Sequence, residues 1–180
     1  MNNLISKLMG EQAIDVLCRL TKDRGAIAEA ILDEAKRVLV NVDIDEIADL
    51  VFFQLDMIDV QDCWDRSAAT RDGYISAEDA AMELIEEELQ SFRDQITRYH
   101  ELGMGEQERD YCMGTILGLY RYEQESKSEF KDWCEGIPLC CADSILGEWR
   151  KQNDIASASA TMNEFIGQRC PKWAEHLTHK

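Results

Sequence analysis

The chain has 180 residues, 45% of them hydrophobic, with 2 prolines and a formal net charge of −17 from 36 acidic and 19 basic residues. That length supports one domain over residues 1–180 with one sizeable core, and the charge repels phosphate backbones, which weighs against direct DNA or RNA binding. No apolar run reaches the ~20 residues of a membrane-spanning helix. Seven cysteines, an odd number with no signal peptide read ahead of them, predict reduced thiols and a cytoplasmic protein.

In chain order, Ile14, Leu17 and Leu20, then Ile27, Ile31, Ala35 and Val38, recur at three- and four-residue steps. They predict two short amphipathic helices in a hairpin broken near residues 23–25. Asp43 followed by Glu46 has the form of an N-terminal cap, and Ile44, Ile47, Val51, Leu55 and Ile58 extend a third helix to about Ile58. The stretch DVQDCWDRSAATRDG, residues 59–73, holds neither period and reads as a long connection.

Ser76 and Asp79 restart a helix by capping, and Ala77, Ala80, Ala81, Leu84, Ile85, Leu89, Phe92, Ile96 and Tyr99 give it one long apolar stripe. Gly103 and Gly105 end it in a tight turn. The next helix, residues 106–125, is apolar over much of its circumference and is expected to be central. Its Gly114 and Gly118 lie one turn apart and predict a neighbour whose backbone comes close, since glycine costs about 1 kcal/mol in a helix interior. Ser126 and Glu129 suggest a capping box before a short helix with Phe130 and Trp133, and Pro138 separates that from a helix with Ile145, Leu146 and Trp149.

A further helix covers about residues 154–168, and Pro171 opens a last turn leading to Trp173 and Leu177. No stretch alternates as a strand would. The expected fold is all-α, a right-handed superhelix or α-solenoid-like stack of antiparallel helix pairs, with about seven to nine helices. A compact bundle is the alternative.

The motifs are informative mostly by what they lack. The segment AATRDGYISAED, residues 68–79, looks like the second half of a calcium loop, but Ala68 and Thr70 stand where carboxylate or amide ligands belong, so it reads as a turn followed by a helix cap. Cys134, Cys140, Cys141, Cys170, His176 and His179 match no common zinc spacing, and no metal or cofactor is expected. His100 falls at a helix C-terminus, where a cation suits the dipole, and reads as structural. No metalloprotease, di-iron, phosphate-loop or serine-elbow motif occurs, so the chain reads as non-catalytic. The candidate binding residues are Trp64, Arg66, Arg71 and Tyr74. Two arginines beside aromatic rings could clamp an anion or a partner carboxylate, or could pair with Asp62, Asp65 and Asp72 and simply hold the loop.

Over residues 43–151, more faintly over the first forty residues, and on DCWDRSAATRDGYISAEDAAMELIEEEL followed by HELGMGEQERDYCMGTILGLYRYEQES, the chain resembles helical regions that accompany SWIM-type zinc fingers in prokaryotic proteins. The finger's own C-x-C and C-x-H elements are absent, so zinc and nucleic-acid roles do not carry over. The resemblance implies a tetratricopeptide-like helical scaffold that offers a surface to other proteins and has no family active site.

The expected function is therefore a non-catalytic scaffold or adaptor that binds a protein partner, with basic partners favoured by the charge. The rivals are an acidic regulator that occupies the nucleic-acid site of a basic protein, and an enzyme or small-ligand-binding protein using the 62–75 loop.

Overall fold

The computed structural model describes residues 9–22, 25–67, 69–70, 73–153 and 156–178. The chain divides by its contacts into two compact units, Met1–Asn41 and Val42–Lys180.

The first unit holds α1 (Gly10–Thr21) and α2 (Ala26–Val40), the hairpin that the spacing of Ile14 to Val38 predicts. Only Ala28 is buried among its described residues. Met9, Ile14, Val16, Leu17, Leu20, Ile27, Leu32 and Val40 are exposed by 43–72%. Residues 1–41 contain six acidic and six basic side chains, so the whole of the −17 falls on residues 42–180.

The second unit is built around α6 (Gly105–Glu125), against which α3 (Ile44–Asp56), α5 (Ala77–Glu101), α7 (Ile137–Gln152) and α8 (Ala156–Arg169) all pack. Helix α6 buries Cys112, Met113, Thr115, Ile116, Leu117, Leu119 and Tyr122 around most of its circumference, which is why its sequence shows no single stripe. Its tightest neighbour is α3. A Cβ on Gly114 would stand 2.7 Å from the Ile47 Cβ and 2.9 Å from the Ile44 carbonyl oxygen, and one on Gly118 would stand 2.5 Å from the Val51 Cβ and 2.7 Å from the Ala48 oxygen. The two glycines thus remove the side chains that would hold the helix backbones apart.

Helix α5 buries Ala80, Ala81, Leu84, Ile85, Leu89, Phe92, Ile96 and Tyr99, the stripe read from the sequence. It starts on a reciprocal cap in which the Asp79 N–H donates to Ser76 Oγ at 3.0 Å while the Ser76 N–H reaches the Asp79 carboxylate at 3.4 Å. Asp43 caps α3 by accepting from the Asp45 and Glu46 N–H groups at 2.9 and 3.2 Å. Gly103, at φ 67°, ends α5 in the left-handed conformation. Gly105 instead opens α6.

Polar links tie the helices at their rims. Arg121 of α6 pairs with Asp45, and with Asp49 at 2.7 Å, while Arg169 of α8 reaches Asp45 at 2.6 Å. Arg169 and then Arg121 hold the Asp45 carboxyl below its usual range. On the opposite flank, Arg93 of α5 meets Glu148 of α7 at 2.8 Å. The last described helix, α9 (Ala174–Thr178), is fixed by Trp173, which stacks edge-on to Tyr120 at 5.2 Å and donates from Nε1 to Glu123 at 2.8 Å.

Three local expectations are corrected. Residues 59–73 are not a plain connection: Asp59 caps a short helix, α4 (Val60–Arg66), and Ala69–Thr70 (β1) pairs antiparallel with Gly73–Tyr74 (β2). Seven helical residues are too few to display a period, and two-residue strands too few to alternate. Ser126 does not cap Glu129. It accepts from the Ser128 N–H at 3.1 Å, and the segment Glu129–Trp133 that follows is a 3₁₀ turn.

Candidate functional site

The sequence-predicted site residues part company in the structure. Trp64 lies on α4, next to Cys63, which is wholly buried and whose thiol donates to the Ala77 carbonyl at 3.3 Å. That bond and the burial of Cys63 press α4 against the start of α5 and turn the adjacent Trp64 outward, 42% exposed. Arg66 is committed elsewhere: its guanidinium makes a two-pronged pair with Glu87 of α5 at 2.7 Å on each arm. The Arg66 pair holds the Glu87 carboxyl below its usual range. Arg71 lies outside the described residues. Tyr74 is placed only through its backbone, opposite Ala69 in the β1–β2 pair. An anion clamp made by Arg66 would have to break the Glu87 contact first.

The residue that sequence reasoning missed as a partner for Trp64 is Trp133. It ends the 3₁₀ turn Glu129–Trp133, 41% exposed, and meets Trp64 edge-to-face with ring centroids 6.1 Å apart and planes at 81°. Sixty-nine positions separate the two, so no spacing rule connects them. The turn is anchored from beneath by fully buried Phe130 and by Cys134. Burial pushes the Cys134 thiol up to about 11.

One surface cavity is lined by Trp133 of this pair and a second adjoins the first, with Trp64 lining neither. The first, of about 460 Å³, is lined by Ala77, Glu78, Asp132, Trp133 and Glu135. The other, of about 490 Å³, shares Asp132 and Glu135 and adds Glu123, Lys131, Cys134, Gly136 and Pro138. Glu78, Asp132 and Glu135 have no ion-pair partner among the described residues. Lys131, the cation of this lining, donates to the Ser126 carbonyl at 3.0 Å. An indole face beside unpaired carboxylates suits a cationic side chain. Such a group gains ~0.5–2 kcal/mol from the ring, and charge-assisted hydrogen bonds from the acids.

A second polar cluster lies at the other end of α6. Glu108 is 1% exposed, accepts from Asn153 Nδ2 at 2.6 Å and sits 3.2 Å from His100 Nδ1. It joins the ends of α5 and α7 to the first turn of α6, where the helix dipole favours a carboxylate. With His100 and Asn153 both spent on this junction, the cluster reads as structural. Among the described residues no group of three or more His, Cys, Asp or Glu side chains is placed to hold a metal ion, and His179 lies outside them. Cys140 is exposed and Cys141 buried, so the adjacent pair points two ways. No helix among the described residues is long and apolar enough to cross a membrane.

No family model, curated protein or solved structure matches the chain.

Proposed function

We propose that residues 42–180 form a non-catalytic helical adaptor that captures a basic segment of a protein partner on the Trp64–Trp133 face. The observation that carries the reading is the exposed edge-to-face indole pair whose Trp133 lines a cavity with Glu78, Asp132 and Glu135. An arginine-bearing segment meets both requirements of that surface. Its guanidinium stacks on aromatic faces and forms paired hydrogen bonds with carboxylates, which a lysine ammonium does less well. The field of −17 draws such a partner in, and the aromatic pair gives it a place to stop. The resemblance of residues 43–151 to helical scaffolds agrees with a role in protein contact.

Titration calorimetry of the full chain with an arginine-rich peptide tests the reading. Binding is expected to weaken with salt, to drop about tenfold (~1.4 kcal/mol) in Trp133→Ala, and to drop further in Asp132→Asn/Glu135→Gln. Binding that is indifferent to both variants would reject this face. Loss with salt but none with Trp133→Ala would favour the charge-imitating regulator, which needs the acidic field alone.

A further inference from the structure

We infer that the apolar face of the α1–α2 hairpin is an interface with the same hairpin of a second copy of this chain, closing a four-helix bundle about a two-fold axis. Helices of 12 and 15 residues are about 18 and 22 Å long. Such short helices are marginal in water unless an amphipathic face is buried. Within the hairpin that burial is not achieved: Ile14, Leu17, Leu20, Ile27 and Leu32 stay exposed by 44–62%. Two helices bury only the ridge between them, whereas two pairs face to face enclose a core.

Charge identifies the occupant as a second copy. The hairpin is electrically neutral, with six acids and six bases in residues 1–41, so it offers no net attraction to an acidic or a basic protein. The signs are also ordered. Along α1 the acids Glu11 and Asp15 precede Arg19 and Lys22, and along α2 the acids Glu29, Asp33 and Glu34 precede Lys36 and Arg37. The antiparallel hairpin therefore mixes both signs at each end, but when two hairpins pack face to face about a two-fold axis each helix lies beside an antiparallel helix of the second copy, and its acidic half meets a basic half. A two-fold contact needs one patch that complements itself, and this patch does so in both hydropathy and charge. Two copies of residues 42–180, which carry all of the net charge, would repel instead.

Sedimentation equilibrium of the full chain over a concentration series decides the matter. The expected mass is twice 20.6 kDa, with association unchanged or strengthened as salt screens the acidic units. Ile14→Glu/Ile27→Glu is expected to lower the association constant at least a hundredfold while the tryptophan fluorescence of residues 42–180 stays native. The milder pair Leu17→Ala/Leu32→Ala is expected to lower it about tenfold, so the outcome does not hang on one variant. A wild-type chain that stays at 20.6 kDa at every concentration overturns the inference, as does a dimer untouched by both pairs. Trp133→Ala, which disables the peptide site, is expected to leave the mass unchanged, so the two readings fail separately.

Discussion

The hairpin and the acidic unit start from the same raw material, amphipathic helices with apolar residues three and four apart, and end differently. In residues 42–180 the stripes of α3, α5 and α7 close on α6, which is apolar nearly all round and carries glycines where α3 crosses. Among the described residues of 1–41 there is no such all-apolar helix, and the hairpin by itself leaves the stripes of α1 and α2 open. An amphipathic period states that a face will be buried. It does not say against what, and the answer depends on whether some other helix of the chain has surface left to give.

That contrast can be broken first at the glycines. Gly114→Ala and Gly118→Ala each drive a methyl group into the Cβ of a branched side chain and a backbone oxygen of α3. Each is expected to cost about 1–3 kcal/mol, and together they are expected to abolish cooperative unfolding of residues 42–180. All four tryptophans, at 64, 133, 149 and 173, lie in that unit, so a fluorescence-monitored urea titration reads it alone. The hairpin, measured by dimer mass, should not respond.

Glu108→Ala comes next. It strips charge-assisted hydrogen bonds from a buried site and is expected to cost about 2–3 kcal/mol in the same titration. A loss under 0.5 kcal/mol, on the order of an ordinary surface substitution, would show the junction to be dispensable.

The alkaline limb follows from the buried thiols. Burial raises Cys134 to about 11 and Cys141 and Cys170 to about 12 from an ordinary value of 9.0. Between these values the unfolded chain releases protons that the folded chain retains. The stabilising contribution is full below pH 9 and disappears as pH rises toward 12. The urea midpoint should therefore fall over that interval, and a flat midpoint would contradict the burial. At neutral pH, a thiol reagent should label Cys18 and Cys140 rapidly and the five buried cysteines only as the unit unfolds.

The smallest effect belongs to Arg169→Ala. Asp45 is 53% exposed, so losing its partner is expected to cost less than about 1 kcal/mol. Because the paired Asp45 carboxyl lies below its usual range, what stability it lends is present above pH 4 and vanishes as pH falls through the folded value.

Much of the second unit was legible residue by residue. The α5 stripe from Ala80 to Tyr99, the Ser76 and Asp43 caps, the Gly103 terminus and the close approach at Gly114 and Gly118 all follow from local periodicity or from the conformational freedom of glycine. The site was less legible. Trp64 stood out as an aromatic in an aperiodic stretch, but its partner Trp133 is brought to it by the folding of the chain between them. Arg66, grouped by sequence with the nearby aspartates, finds Glu87 twenty-one residues on because α4 docks against α5.

The sequence by itself determined that this protein is helical, where most of its helices begin and end, and which helix would be central, because these depend on forces acting over three or four residues. Tertiary structure alone decided that the chain forms two units and that the boundary between them falls where a neutral stretch meets the acidic one. It also decided that two distant tryptophans meet near acids that have no ion-pair partner among the described residues. Those outcomes rest on which surfaces find each other in space, and residue spacing carries no record of that.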